Sequence, residues 1–395
     1  MPPIEKSTAR QEKSTARKRK KNIIAAFEKG MSNDVKRFKK LKEEAEESGS
    51  PRSIVTNGDI DGLVSACLLH SVTGWKVKAI VWPNRKISLH PELKIESQEQ
   101  ASKELFVVDL FSPVIPGVSN HGGLWGGKKI AGKNEIKEKF DAFDQKLIDQ
   151  SEDVMCASPN HWIGIKGSYP NKAEDALSYR YGYRMGTAQV LLAMLEAADL
   201  KPKLYDAEYL PWLIANCDGG IGSFSGAPEN IPMWWSALAT FAGPSSYSQQ
   251  IYRLVGESPV NRFREIDNAL RSEENTDLDG ALNGKWNLNH QAGTTNLQLC
   301  YTNVRVVTEW IDDISGWGDP FAGEVSGIDK WEVEEPGHVE RLISPKDGMH
   351  EGIEIHSPQG LQELDRDLDR VLKSISYGYF TLNQTSYMFG LDPWW

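Results

Sequence analysis

The chain has 395 residues, of which 39% are hydrophobic and 25% charged, with a formal net charge of −10. That length predicts two domains plus an appendage, and the composition is that of an ordinary globular protein. No run of apolar residues is long enough for a transmembrane helix, and the basic N-terminus lacks the apolar stretch of a secretory signal.

The charge is unevenly spread. Residues 1–50 carry fourteen Lys/Arg against eight Asp/Glu, so the rest of the chain is strongly acidic. An acidic body with a basic arm does not fit a protein that coats duplex DNA. It fits an acidic metal site with a tail able to touch nucleic acid or another anionic partner. Cys67, Cys156, Cys217 and Cys300 are scattered without zinc spacing, as expected of reduced, buried thiols in a cytoplasmic protein.

In chain order, residues 1–22 hold a seven-residue repeat, Glu5–Arg10 and Glu12–Arg17, followed by Lys18-Arg-Lys-Lys21. Too few apolar residues accompany it for a helical seam, which predicts a poorly ordered basic arm. A helix is expected within residues 23–50, near Asn33–Glu47, with Val35, Phe38, Leu41 and Ala45 on one face and Ser48-Gly-Ser-Pro51 as its stop. Short apolar strands are expected at Ser53–Thr56, Val77–Trp82, Leu105–Leu110 and Val154–Ala157. Helices are expected at Leu63–Ser71, Glu135–Gln150, Gly186–Ala198 and Tyr209–Ala215. This alternation predicts an α/β domain over 51–226, with a doubly wound, mostly parallel sheet. Residues 227–395 read as a smaller mixed α+β domain, with a helix near Asn261–Arg271, a strand-like Leu297–Val307, a short strand at Trp331–Glu334 and a strong helix at Gly360–Ser376. The ends of the expected strands are where open α/β sheets place their ligands.

The first of them runs into Asn57-Gly-Asp59-Ile-Asp61-Gly62, two carboxylates two residues apart and then a glycine. Hard carboxylate oxygens so close suit Mg²⁺ or Mn²⁺. A second copy of the pattern, Asp277-Leu-Asp279-Gly280, follows Glu273-Glu-Asn-Thr rather than a strand and reads as a solvated turn. Three later features follow in order: Leu105-Phe-Val-Val-Asp109, the small-residue segment Gly186–Glu196, and Leu210–Asp218, an apolar segment closing on aspartate. Together they resemble the DHH phosphoesterase superfamily in its RecJ-like form over roughly residues 50–225. Asn57 stands where that family usually has His or Asp, and Asn120-His121-Gly122 is the nearest stand-in for its Asp-His-His motif. His161 is the rival imidazole.

The resemblance implies a site of Asn57, Asp59, Asp61, Asp109, His121 and Asp218 holding Mn²⁺ or Mg²⁺, two ions with Asp109 bridging them. It implies hydrolysis of a phosphodiester in a nucleotide or single-stranded nucleic acid. The departures at Asn57 and Asp-His-His point to the alternative, a catalytically impaired DHH-fold protein that binds nucleic acid or acts as a scaffold. Lys128, Lys129, Arg180 and Arg184 are candidate phosphate contacts, and Tyr179, Tyr181 and Tyr183 candidate stacking platforms. Gly122–Lys129 lacks the P-loop pattern, which argues against an NTPase. The C-terminal Trp394-Trp395 could dock into a partner or onto the chain's own body.

Overall fold

In the computed structural model, described residues are 4–82, 85–120, 134–164, 185–202, 209–217, 230–257, 265, 268, 276–282, 288, 297–321, 325–343, 349–350, 353–354, 358–382 and 385–395. Helix α1 (Ile4–Ser48) runs unbroken through the basic repeat, which is rich in Ala, Arg, Lys and Glu, all good helix formers. From Phe27 onward, Phe27, Met31, Val35 and Phe38 are buried at helical spacing. The expected helix near Asn33–Glu47 is therefore the last third of a much longer one.

Strand β1 (Ser53–Asn57) leads into α2 (Ile60–Thr73), then β2 (Lys76–Val81), β3 (Ile87–Leu89), α3 (Gln98–Glu104), β4 (Leu105–Val108) and β5 (Gly117–Val118). Helix α4 (Asn134–Asp153), β6 (Cys156–Ala157) and α5 (Pro159–Gly164) follow. After them come α6 (Thr187–Ala197), α7 (Leu210–Asn216), α8 (Asn230–Ala242), α9 (Tyr247–Glu257), α10 (Thr276–Ala281) and α11 (Leu297–Ser315). Strand β7 (Glu332–Glu334) completes a seven-stranded sheet of order β6-β5-β4-β1-β2-β3-β7. Its five strands from β6 to β2 are parallel, and β3 and β7 pair antiparallel at one side. The fold is α/β with a mostly parallel mixed sheet.

Alternate strand residues enter two different cores, which is why the strands are apolar throughout. Ile54, Phe106 and Val108 pack with α1, α2 and α6 on one face. Val55, Leu105 and Val107 pack on the other with Ala101 of α3. Ile375 and Leu391 join this second core. They belong to β11 (Ile375–Leu382) and β12 (Thr385–Leu391), which form a three-stranded sheet with β8 (His338–Ile343). Between them lie the small hairpin of β9 (Met349–His350) and β10 (Ile353–Glu354), and α12 (Pro358–Val371). Elements on both sides of residue 226 thus share one core, and β7 belongs to the main sheet. Trp394 and Trp395 pack against that same core, so the C-terminal tryptophans dock onto the chain's own body.

Two further expectations change. The segment Leu297–Val307 is the start of helix α11, not a strand. Its β-branched residues imitate a strand, but Cys300, Val304, Val307 and Ile311 are buried at helical spacing. The second Asp-x-Asp-Gly copy lies within the short helix α10, with Leu278 buried and Asp277 exposed, rather than in a turn. Of the helix expected at Asn261–Arg271, only residues 265 and 268 are described. Among the described residues no helix is long and apolar enough to cross a membrane.

A carboxylate and amide cluster between β1 and β4

In the strand order, β1 has β2 on one side and β4 on the other, so the chain reverses its winding direction between β1 and β4. The crevice at the carboxyl ends of such a pair is where doubly wound sheets bind ligands. Asn57 is the last residue of β1, and Asp109 follows the last residue of β4.

Asp59 is the N-cap of α2 and accepts from the Gly62 amide at 2.9 Å. A carboxylate there satisfies an otherwise orphaned donor and complements the helix dipole. Gly62 is required by close approach: a Cβ at that position would sit 2.3 Å from the Asn57 carbonyl oxygen. The turn therefore presses α2 directly onto the end of β1 and brings Asp59 and Asp61 to the same edge as Asn57.

Asp61 is fully buried against the N-terminus of α6. Its Oδ2 accepts from the Thr187 amide at 2.6 Å and its Oδ1 from the Ala188 amide at 2.9 Å. Gly186 makes this possible, since its missing Cβ would lie 2.8 Å from Cys217 Cβ and 3.0 Å from Asp61 Oδ1. Gln189 ties α6 to the end of α7 by donating to the Ile214 and Ala215 carbonyls at 2.8 and 3.2 Å. Burial, and then the charges of Asp109 and Asp59, push the Asp61 carboxyl well above the ordinary carboxylate range, against the two amides that favour its charged form.

Asp109 is buried with φ at +57°, a backbone region that non-glycine residues enter rarely and Asp more readily than most. Such conformations persist where surrounding contacts over-determine them, and they gather at functional sites. Its Oδ1 accepts from the Thr187 hydroxyl at 2.7 Å and its Oδ2 from the Asn57 amide at 3.2 Å. The same Asn57 Nδ2 donates to Asp59 Oδ2 at 2.5 Å, so one amide group lies between the two carboxylates. The other end of that amide, Asn57 Oδ1, is buried and has no hydrogen-bond partner among the described residues. Asn120, just past β5, is drawn into the cluster: its backbone amide donates to Thr187 Oγ1 at 2.9 Å and its side-chain amide to the Met185 carbonyl at 2.9 Å.

Of the expected site residues, Asn57, Asp59, Asp61 and Asp109 come together. His121 and Asp218 lie outside the described residues, as do Lys128, Lys129, Arg180, Arg184, Tyr179, Tyr181 and Tyr183. Asn120, read only as a neighbour of His121, is a member of the cluster. Thr187 escaped the sequence reading altogether; its one local signal is its position directly after Gly186, at the start of a small-residue helix. The rival His161 is elsewhere, on α5 beyond β6, buried and stacked on Phe111 at 6.5 Å between ring centroids. Neither of its ring nitrogens has a partner among the described residues, and burial, with Arg37 nearby, pushes its pKa down to about 4.

The donor set suits a hard divalent cation in kind: two carboxylates that share one amide, a third carboxylate beside them, and an unpartnered amide oxygen. Among the described residues no three of the His, Cys, Asp and Glu side chains are arranged to hold a metal ion, because Asp61 faces α6 and an amide lies between Asp59 and Asp109. An oxygen donor set here therefore includes Asn57, whose amide has to turn to offer Oδ1 in place of Nδ2. No family model, curated protein or solved structure matches the chain.

Proposed function

We propose that this chain is a DHH-like phosphoesterase, dependent on Mn²⁺ or Mg²⁺, that hydrolyses a phosphodiester of a nucleotide or of single-stranded nucleic acid. The observation that carries the reading is the cluster at the β1–β4 reversal, where one amide joins Asp59 to Asp109 and leaves its own oxygen buried without a partner among the described residues. Asn57, Asp59 and Asp109 would hold a cation, with His121 and Asp218 as the remaining ligands that the family resemblance implies. A bound divalent ion supplies charge neutralisation, a more acidic water and a clamp on phosphoryl oxygens.

The chain's own residues do the orienting. Thr187 and Asn57 fix the two oxygens of Asp109, and the α6 amides fix Asp61. Burial of Asp61, and then the neighbouring charges of Asp109 and Asp59, raise the Asp61 pKa, so part of that shift is repulsion among the three carboxylates. A cation bound beside them would offset that repulsion, which supports the metal-dependent reading. In the same reading, residues 227–395 form the substrate-gripping part, the basic arm attracts the nucleic acid, and the buried free thiols suit the cytoplasm.

A second reading has its own support. Asn57 points its N–H₂, not its oxygen, at both carboxylates, and an amide donor neutralises them in part without any ion. A protein that keeps the fold and binds nucleic acid without turnover is consistent with that arrangement.

The test is hydrolysis of a small chromogenic phosphodiester and of a 5′-labelled single-stranded oligonucleotide with Mn²⁺, with Mg²⁺ and with chelator. Wild type is compared with the double variant Asp59→Ala/Asp61→Ala. Loss of a residue supporting a metal ligand typically costs ~10–100-fold, so the double variant is expected to lose more than about 100-fold. Oligonucleotide binding without cleavage by wild type in any metal selects the second reading.

A further inference from the structure

We propose that Thr187 is a positioning residue for the carboxylate site: its hydroxyl orients Asp109, and through Asp109 it sets the affinity for the divalent cation. This inference rests on the metal-dependent reading above and identifies a residue that governs it.

Thr187 is the first residue of α6, fully buried, and it reaches three separate parts of the cluster. Its backbone amide donates to Asp61, its hydroxyl donates to Asp109 Oδ1 at 2.7 Å, and the hydroxyl oxygen accepts from the Asn120 backbone amide at 2.9 Å. A hydroxyl has one proton to give and two lone pairs to offer. With Asn120 N–H occupying a lone pair, the proton goes to the shorter contact with the carboxylate, and Asn120 Oδ1, 3.2 Å away, is left without it. The direction of the hydroxyl is therefore set from behind by β5 and spent in front on β4.

Helix capping does not account for this hydroxyl. The N-cap of α6 is Gly186, and Gln189 accepts from the Gly186 amide at 3.0 Å. Thr187 Oγ1 turns outward from its own helix to the ends of two strands. It meets Asp109 on the oxygen opposite the one that Asn57 holds, so the carboxylate is fixed from both sides at a residue whose φ is +57°. Groups that orient a ligand in this way typically govern metal affinity as well as activity.

The experiment compares wild type with Thr187→Val, which keeps the shape and removes the hydroxyl, and with Thr187→Ser, which keeps the hydroxyl. Mn²⁺ binding is measured by titration calorimetry and by the loss of the free-ion electron paramagnetic resonance signal; turnover of the small phosphodiester is measured across Mn²⁺ concentrations. Thr187→Val is expected to weaken Mn²⁺ binding ~10–100-fold and to regain turnover at high Mn²⁺, while Thr187→Ser stays within about threefold of wild type. If the valine variant does not fold, Thr187→Ala takes its place. Equal Mn²⁺ affinity in the valine and wild-type proteins, or an equal loss in the valine and serine variants, overturns the inference and leaves the metal reading standing. Absence of Mn²⁺ binding by wild type overturns the metal reading itself and this inference with it.

Discussion

The ends of β1 and β6 lie in one parallel run of the same sheet, and both carry a residue that reads from sequence as a metal ligand. At the end of β1, Asn57, Asp59, Asp61 and Asp109 are tied to one another or to backbone amides, and one oxygen is left over. Beyond β6, His161 is buried against Phe111, with neither ring nitrogen partnered among the described residues. The difference teaches that burial leaves a lone imidazole neutral but sets neighbouring carboxylates against one another. In the β1 cluster burial, and then the neighbouring charges of Asp109 and Asp59, raise the Asp61 pKa, whereas burial and Arg37 hold the His161 ring neutral.

The contrast can be broken most forcefully at Asn57. Asn57→Asp replaces the amide donor with another carboxylate and leaves buried charges uncompensated, a change that costs about 3–5 kcal/mol. Denaturant unfolding in chelator should show that loss, and Mn²⁺ or Mg²⁺ should restore most of it. No recovery with either ion would give the cluster a structural role only.

His161 supplies the next test. Its folded pKa of about 4 is depressed from an ordinary value near 6.5, so the fold prefers the neutral ring. The stability this gives is complete above the unfolded value and is lost as pH falls from about 6.5 to about 4, by about 3 kcal/mol. His161→Leu should remove that part of the acid sensitivity, seen as a smaller difference in unfolding free energy between pH 7.5 and pH 4, with Mn²⁺ affinity unchanged. A large loss of Mn²⁺ binding in this variant would instead make the imidazole a ligand.

Gly62→Ala sharpens the same comparison by a smaller amount. The added methyl meets the Asn57 carbonyl, and crowding of this kind costs about 2 kcal/mol. Because the strain falls between β1 and α2, Mn²⁺ affinity should fall along with stability, which thermal unfolding with and without the ion would detect. Unchanged affinity would mean that the α2 turn does not shape the site.

How far the sequence reaches can be judged residue by residue. Asp59 and Asp61 were legible because strand, turn and glycine are neighbours, and Gly62 is needed for a contact only five residues long. Asp109 was legible because an apolar run ends on it. Helix α11 imitates a strand in sequence because its Val-rich segment satisfies a strand pattern and a helical one at once, and packing against α2 decides between them. Strand β5, two residues long, is paired on both sides by β4 and β6 and carries no pattern of its own.

By itself the sequence determined the alternation of α and β elements, the burial of the strands on both faces and the sharp turn that gathers Asn57, Asp59 and Asp61, because these follow from local periodicity and from a glycine without a side chain. Only the tertiary structure decided that Thr187 joins them. Its partners Asn120, Asp109 and Asp61 lie 67, 78 and 126 residues away along the chain. A single hydroxyl carries no periodic signal, and its role exists only where α6 meets the ends of β4 and β5.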